Sequence, residues 1–200
     1  MKAPLIRFRQ ALGQVVSRME EKEFALPKDL KAAWPDSHLI KLLSNRFTAN
    51  MGADYHAKTL TRQVFPQLGV RNDARMLDIG AGTDELMDEV IKGGYPNCRA
   101  LDASEDIRNS YIGIHMNFRD YPIEEKYDVI LFSLLLDCEN PMDLLAKKIY
   151  LHLNKGGFLI FNDPTYFAFT FEWMLKGLGF VRIRLQGGEV MNLLSIWKKP

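Results

Sequence analysis

Residues Arg75 to Glu85 read R-M-L-D-I-G-A-G-T-D-E, and the rest of the chain is best read outward from them. Met76, Leu77 and Ile79 make a short apolar run that Gly80 and Gly82 end. A helical pattern follows, with Leu86, Val90 and Ile91 on one side and Gly93-Gly94 to stop it. A strand that turns through glycines into a helix is a common seat for a ligand. The glycines let backbone approach closely, and the helix start offers unpaired N–H groups.

The spacing narrows the ligand. A dinucleotide fingerprint needs a third glycine three positions after the second, and here that position is Glu85, with Asp84 beside it. Two carboxylates at a helix start suit the helix dipole but repel a pyrophosphate. Asp78, two before the first glycine, adds a third acid. A tight strand–helix turn with no ligand is the competing reading of this stretch taken alone.

Upstream, Leu5, Phe8, Leu12, Val15, Val16 and Met19 fall at helical spacing, and Leu39, Ile40, Leu42, Leu43 and Phe47 suggest a second helix capped by Asp36 or Ser37. Another is expected from Ala53 to about Val64, with Pro66 and Gly69 as stop signals. No strand pattern precedes residue 74, so residues 1–71 read as a helical cap and 72–200 as the main domain. Downstream the rhythm alternates. Strands are expected at Arg75–Ile79, Cys98–Asp102, Ile112–Phe118, Asp128–Phe132 and Phe158–Phe161. Helices are expected at Asp84–Lys92, from Pro141 to about Leu153 with Gly156-Gly157 as its stop, and at Phe171–Leu178. Phe180–Leu185 and Leu193–Lys198, joined by a gap too short for a crossover, form an antiparallel hairpin. The expected fold is α/β, a doubly wound, mostly parallel seven-stranded sheet with an antiparallel C-terminal hairpin.

The net charge of the 200 residues is +1, so no global pull toward nucleic acid or membrane is implied. Residues 1–71 hold 12 Lys and Arg against 6 Asp and Glu, and the remainder 14 against 19; the basic front keeps RNA as an alternative partner. Cys98 and Cys138 lack metal-ligand spacing, and no metal is expected. The longest apolar run, Val129 to Leu136, is too short to span a bilayer, and the N-terminus lacks the apolar core of a signal peptide. A cytoplasmic protein is expected.

Asp102 ends the second strand 20 residues beyond Gly82, next to the glycine turn, where a carboxylate can accept both hydroxyls of a ribose. L-D-I-G-A-G-T at Leu77–Thr83, R-A-L-D-A-S at Arg99–Ser104, N-F-R-D-Y-P with K-Y-D-V-I at 117–130, and Y-L-H-L-N-K-G-G-F-L-I-F at Tyr150–Phe161 together resemble, in order, the motifs of the Rossmann-like S-adenosylmethionine-dependent methyltransferases. The resemblance covers about residues 72 to 200.

The resemblance implies S-adenosylmethionine as cofactor. Asp78, Gly80, Ala81 and Gly82 would wrap its methionine and ribose portions, Asp102 would hold the ribose hydroxyls, and Ala103 would lie against the adenine. Asn117 stands where the family usually places an acid toward the adenine amino group, and the Phe118 N–H would serve the ring nitrogen. Phe132 and Ser133 would face the transferred methyl. Asp84, in place of a glycine, is expected to crowd the methionine end. For the acceptor the candidates are Asp137 and His56 as bases, with Tyr55, Asp163, Tyr166, Phe167 and Phe169 as pocket walls. The aromatics from Phe167 to Trp173 alternate as an extended wall would, with Trp173 assigned to the core beside Leu178 and Phe180. His115, inside the third strand, reads as an ordinary packing residue. The expected activity is methyl transfer to a small apolar or aromatic molecule. RNA modification through the basic N-terminal helices is the runner-up, and a non-catalytic binding protein on the same fold is the third reading.

Overall fold

The central strands alternate their side chains between two buried faces, and that alternation sets the layers. The structure is a computed structural model that describes residues 53–82, 84–105, 107, 111–133, 142–162, 167–185 and 194–200, without the side chains of Ser133, Phe167 and Phe169. These residues all belong to one unit, Phe47–Pro200. The expected N-terminal helices before residue 53, together with Asp137, Cys138, Asp163 and Tyr166, lie outside the described residues.

The strands are β1 (Met76–Ile79), β2 (Cys98–Asp102), β3 (Gly113–His115), β4 (Tyr127–Ser133), β5 (Leu153–Asn162), β6 (Val181–Ile183) and β7 (Ser195–Lys198). The helices are α1 (residues 53–68), α2 (Glu85–Lys92), α3 (Met142–His152) and α4 (Phe167–Gly177). They build one seven-stranded sheet of order β3-β2-β1-β4-β5-β7-β6. Strands β1 to β5 are parallel, and β7 pairs antiparallel with both β5 and β6. This is the expected class, and it brings the ends of β1, β2 and β4 to one edge, where order reverses around β1.

On one face Met76, Cys98, Ala100, Val129, Leu131 and Ile160 pack with Ala57, Leu60, Val64 and Phe65 of α1 and Met87 and Val90 of α2. On the other, Leu77, Ile79, Leu101, Ile130, Phe132, Leu159, Phe161 and Trp197 pack with Leu145, Ile149, Phe171 and Leu175 of α3 and α4. Among the described residues no helix is long and apolar enough to cross a membrane.

Four expectations are corrected. Pro66 does not stop α1. The turn Leu60–Val64 is widened into a π-helix whose last bond runs from the Phe65 N–H to the Leu60 carbonyl, and the helix continues to Leu68. Widening gives the proline ring room against the preceding turn, where it has no N–H to offer. Gly156-Gly157 does not end a helix either. Strand β5 already pairs at Leu153 with Tyr127, bulges through both glycines, and resumes at Phe158 with Val129. Third, β3 stops at His115; Phe118 is buried from the turn that follows.

The fourth correction concerns the aromatic segment. Helix α4 begins at Phe167, so the alternating aromatics spiral instead of forming an extended wall. Phe171 is wholly buried, stacking edge-on against Phe132 and Phe161 at 5.6 and 5.5 Å. Trp173, two positions on, comes out on the far side of the helix and is 62% exposed instead of joining the core.

Candidate functional site

The carboxyl ends of β1 and β2 meet through one turn. Gly80 and Gly82 have φ of 71° and 61°, values that side chains other than glycine adopt at a cost. The Gly80 and Ala81 N–H groups donate to the Leu101 carbonyl at 2.8 and 3.2 Å, which stitches the turn to β2. A Cβ added at Gly82 would meet nothing within 4 Å. That glycine is therefore demanded by its backbone angle, and the space beside it is open.

Asp102 closes the turn from the other side. One carboxylate oxygen accepts the Gly82 N–H at 2.7 Å and the other accepts the Ser104 N–H at 2.7 Å. Each oxygen keeps a lone pair, enough for two further donors. Asp78 lies beneath, on the same face as Met76 and Ala100, and is only 5% exposed. Burial first, and the neighbouring Asp102 carboxylate second, push its pKa up to about 7. Among the described residues no cation is paired with either acid, so this set of acceptors fits a ligand that brings positive charge and a diol. A pyrophosphate would be repelled. Asp84 stands half-buried just ahead of α2.

The remaining candidates divide. Ala103 is exposed next to Asp102. Asn117 is exposed beyond β3, and its side-chain oxygen already accepts the Arg119 N–H at 2.9 Å. The Phe118 ring is core, packed on Tyr121 and His152. The Phe132 ring is core as well, stacked on Phe161 at 4.8 Å. What Phe118 and Phe132 can turn toward a ligand is backbone. Ser133 ends β4, opposite Asn162 of β5.

Tyr55 and His56 are among the earliest described residues of α1. Farther along, the Thr61 side chain abuts Gly93 at the end of α2, and Phe65 meets Tyr95 at 4.9 Å. The second half of α1 is thus level with the end of α2. Tyr55 is 42% exposed. His56 is half-buried, and burial lowers its pKa, which keeps the ring neutral. Its Nε2 has no hydrogen-bond partner among the described residues.

One participant carried no sequence signal. His115 Nε2 lies 3.0 Å from the Ala103 carbonyl oxygen. Only the β2–β3 register, which sets Asp102 opposite His115, reveals the pair.

A family model described as a methyltransferase domain matches residues 42–196. No curated protein matches the chain by sequence. Among solved structures, DesVI of Streptomyces venezuelae is similar with a TM-score of 0.60 at 12% identity, covering 84% of this chain and 100% of that one. The N-methyltransferase NodS of Bradyrhizobium japonicum, solved with S-adenosyl-L-homocysteine, has a TM-score of 0.51 at 18% identity, covering 74% and 88%. At these identities the two structures speak for the fold. With the family match spanning most of the chain and the acidic glycine turn at its expected edge, the protein belongs to the Rossmann-like S-adenosylmethionine-dependent methyltransferases.

Proposed function

We propose that the enzyme methylates a small acceptor with an apolar or aromatic body, bound beyond the carboxyl ends of β4 and β5. When bound, the cofactor supplies a methyl group on a positively charged sulfur, and the electron pair of the broken C–S bond ends on a neutral thioether. The chain's own part is to bind, align and exclude water. Asp78 and the Gly80–Gly82 turn hold the methionine and ribose portions, and Asp102 offers its remaining lone pairs to the ribose hydroxyls. Ala103, the Asn117 amide and the Phe118 backbone bound the adenine. Phe132 and Ser133 line the path of the methyl through their backbone. An acceptor that arrives with a proton loses it to His56 or Asp137. His56 stays uncharged at neutral pH, as a base must.

The observation that supports the acceptor site is the anchoring of α4. Phe171, wedged against Phe132 and Phe161, fixes a helix whose first turn, Phe167 to Thr170, starts five residues after β5 ends at Asn162. On this reading Phe167 and Phe169, which follow the carboxyl end of β5, form the acceptor wall together with Tyr55, Asp163 and Tyr166. Paired substitutions test this. Phe169→Ala is expected to raise the KM for the acceptor at least several-fold with donor affinity unchanged. Phe171→Ala is expected to cost about 3–5 kcal/mol of stability by leaving a core cavity. Equal loss of stability in both, with no selective change in acceptor KM, would return Phe169 to the core. Steeply salt-dependent binding to structured RNA would replace the small acceptor with RNA.

A further inference from the structure

After β2 the described residues show a 3-10 turn at Glu105 and Ile107. Asp102 shapes that turn from within, through its bond to the Ser104 N–H. Its peptide plane is held from outside by the edge strand. The Met116 N–H donates to the Asp102 carbonyl at 2.9 Å, and the His115 ring reaches the next carbonyl, that of Ala103, at 3.0 Å. A carbonyl oxygen only accepts, so the Nε2 of His115 carries the proton in this contact. Neutral imidazole with its proton on Nε2 and imidazolium both make the bond.

We propose that His115 is a positioning residue for the adenosine half of the cofactor: by tethering the Ala103 carbonyl to β3 it fixes the turn that presents the Asp102 carboxylate and the Ala103 surface. The inference rests on the placement of the ribose at Asp102. The Asp102 carbonyl, in the peptide linking it to Ala103, and the Ala103 carbonyl, in the next peptide, are held by Met116 just after β3 and by His115 at its end. Rotation of the Ala103 peptide would carry the adenine-facing residue away and shift the Asp102 oxygens from the Gly82 N–H, 2.7 Å off. Preorganisation of this kind lowers the ordering cost of binding and leaves the methyl-transfer step itself untouched.

Three substitutions separate position from bulk. The Gln side-chain amide reaches about as far as Nε2, the Asn amide about as far as Nδ1, and Phe keeps a ring without a donor. Affinity for S-adenosylmethionine, S-adenosylhomocysteine and 5′-methylthioadenosine is measured by calorimetry, together with donor KM, kcat and melting temperature. His115→Phe and His115→Asn are expected to weaken all three ligands by a common factor of about three- to tenfold, the worth of one hydrogen bond. Donor KM rises by the same factor, with kcat nearly unchanged. His115→Gln is expected to recover most of the affinity. A purely structural role would lower the melting temperature of all three variants with no recovery by Gln, and would overturn the proposal. So would a loss confined to the two ligands bearing a methionine portion, because 5′-methylthioadenosine lacks it. Asp102→Ala serves as the control. If it weakens the cofactor while the His115 variants do not, the tether is wrong and the ribose site stands. If Asp102→Ala changes nothing, the ribose placement itself fails, and the tether with it.

Discussion

The two ends of the sheet handle charge in opposite ways. At the amino end the charges of Asp128, Lys199, Lys126 and Arg75 all have partners. The Asp128 carboxylate accepts the Arg75 N–H at 2.9 Å and the Asn154 amide at 2.8 Å. Lys199 donates to the Tyr150 and Leu153 carbonyls at 2.7 and 2.8 Å, and Lys126 to the Leu151 carbonyl at 2.6 Å, closing the end of α3. Arg75 pairs with Glu125. At the carboxyl end Asp78 is buried beside another acid, and nothing positive among the described residues offsets it. Compensated charge ties elements together. An acid left uncompensated lowers stability until a ligand neutralises it, and such groups gather at functional sites.

The largest expected effect follows from that contrast. The folded pKa of Asp78, about 7, lies above its ordinary value of 3.8. Its contribution to stability is thus fully present below about pH 4 and is lost as pH rises through 7. Asp78→Asn removes the charge, and the cofactor-free protein is expected to gain stability at pH 8, by at most about 4 kcal/mol. The same substitution is expected to weaken S-adenosylmethionine, which brings the missing positive charge, by tenfold or more. In the wild type, donor affinity should strengthen as pH rises from 6 to 8. Thermal melts with and without donor at both pH values check this. A variant less stable than wild type at pH 8 would break the comparison.

Asp128 gives the mirror image. Its carboxylate joins the start of β4 to the start of β1 and to the bulge of β5, so Asp128→Ala strands two donors at once. A loss of about 1–3 kcal/mol is expected. Donor affinity should stay the same, because the site lies at the other end of the strands. A loss of affinity beyond what unfolding explains would show that the two ends are coupled.

The carboxyl end was the more legible of the two in the sequence, for a physical reason. A turn needing positive φ is mostly written in glycine, and a carboxylate beside it must be written as Asp or Glu. Gly80, Gly82, Asp78 and Asp102 therefore announced themselves, and β2 was placed residue for residue. Contacts set by tertiary register left no such mark. His115 meets Ala103 only because β3 pairs with β2 where it does. The alternation from Phe167 to Trp173 looked extended because every second alternate position is also four apart, as Phe167 and Phe171 are, so a short run fits both periods. Leu175 is the partner of Phe171 at i+4. At the bulge, Gly156-Gly157 carried the signature of a helix stop, since glycine marks both features and only pairing tells them apart.

The smallest effect tests whether the amino end also titrates, in the opposite sense. His152 is fully buried against the Phe118 and Tyr121 rings, 5.3 and 5.4 Å between centroids. Its Nδ1–H donates to the Glu125 carbonyl at 2.8 Å, so Nε2 is the bare nitrogen, and it has no hydrogen-bond partner among the described residues. Desolvation is the main cause that lowers its pKa. Lys148 and Lys126 act in the same direction, and the Glu125 bond and Glu124 oppose them. A histidine whose folded pKa lies below the unfolded one binds its proton more readily when unfolded. Stability at this end is therefore lost as pH falls below about 6.5, with a slope of at most about 1.4 kcal/mol per pH unit. Asp78 gains from its proton over the same range, so the two ends offset each other in the wild type. His152→Asn keeps a donor near Nδ1 and abolishes the titration. It is expected to cost about 1 kcal/mol at pH 7.5 and to gain on the wild type as pH falls from 6.5 to 5. In the Asp78→Asn background, where the opposing group is gone, the acid loss due to His152 should stand out alone. A double variant whose stability still fell through that window would place the acid sensitivity elsewhere in the fold.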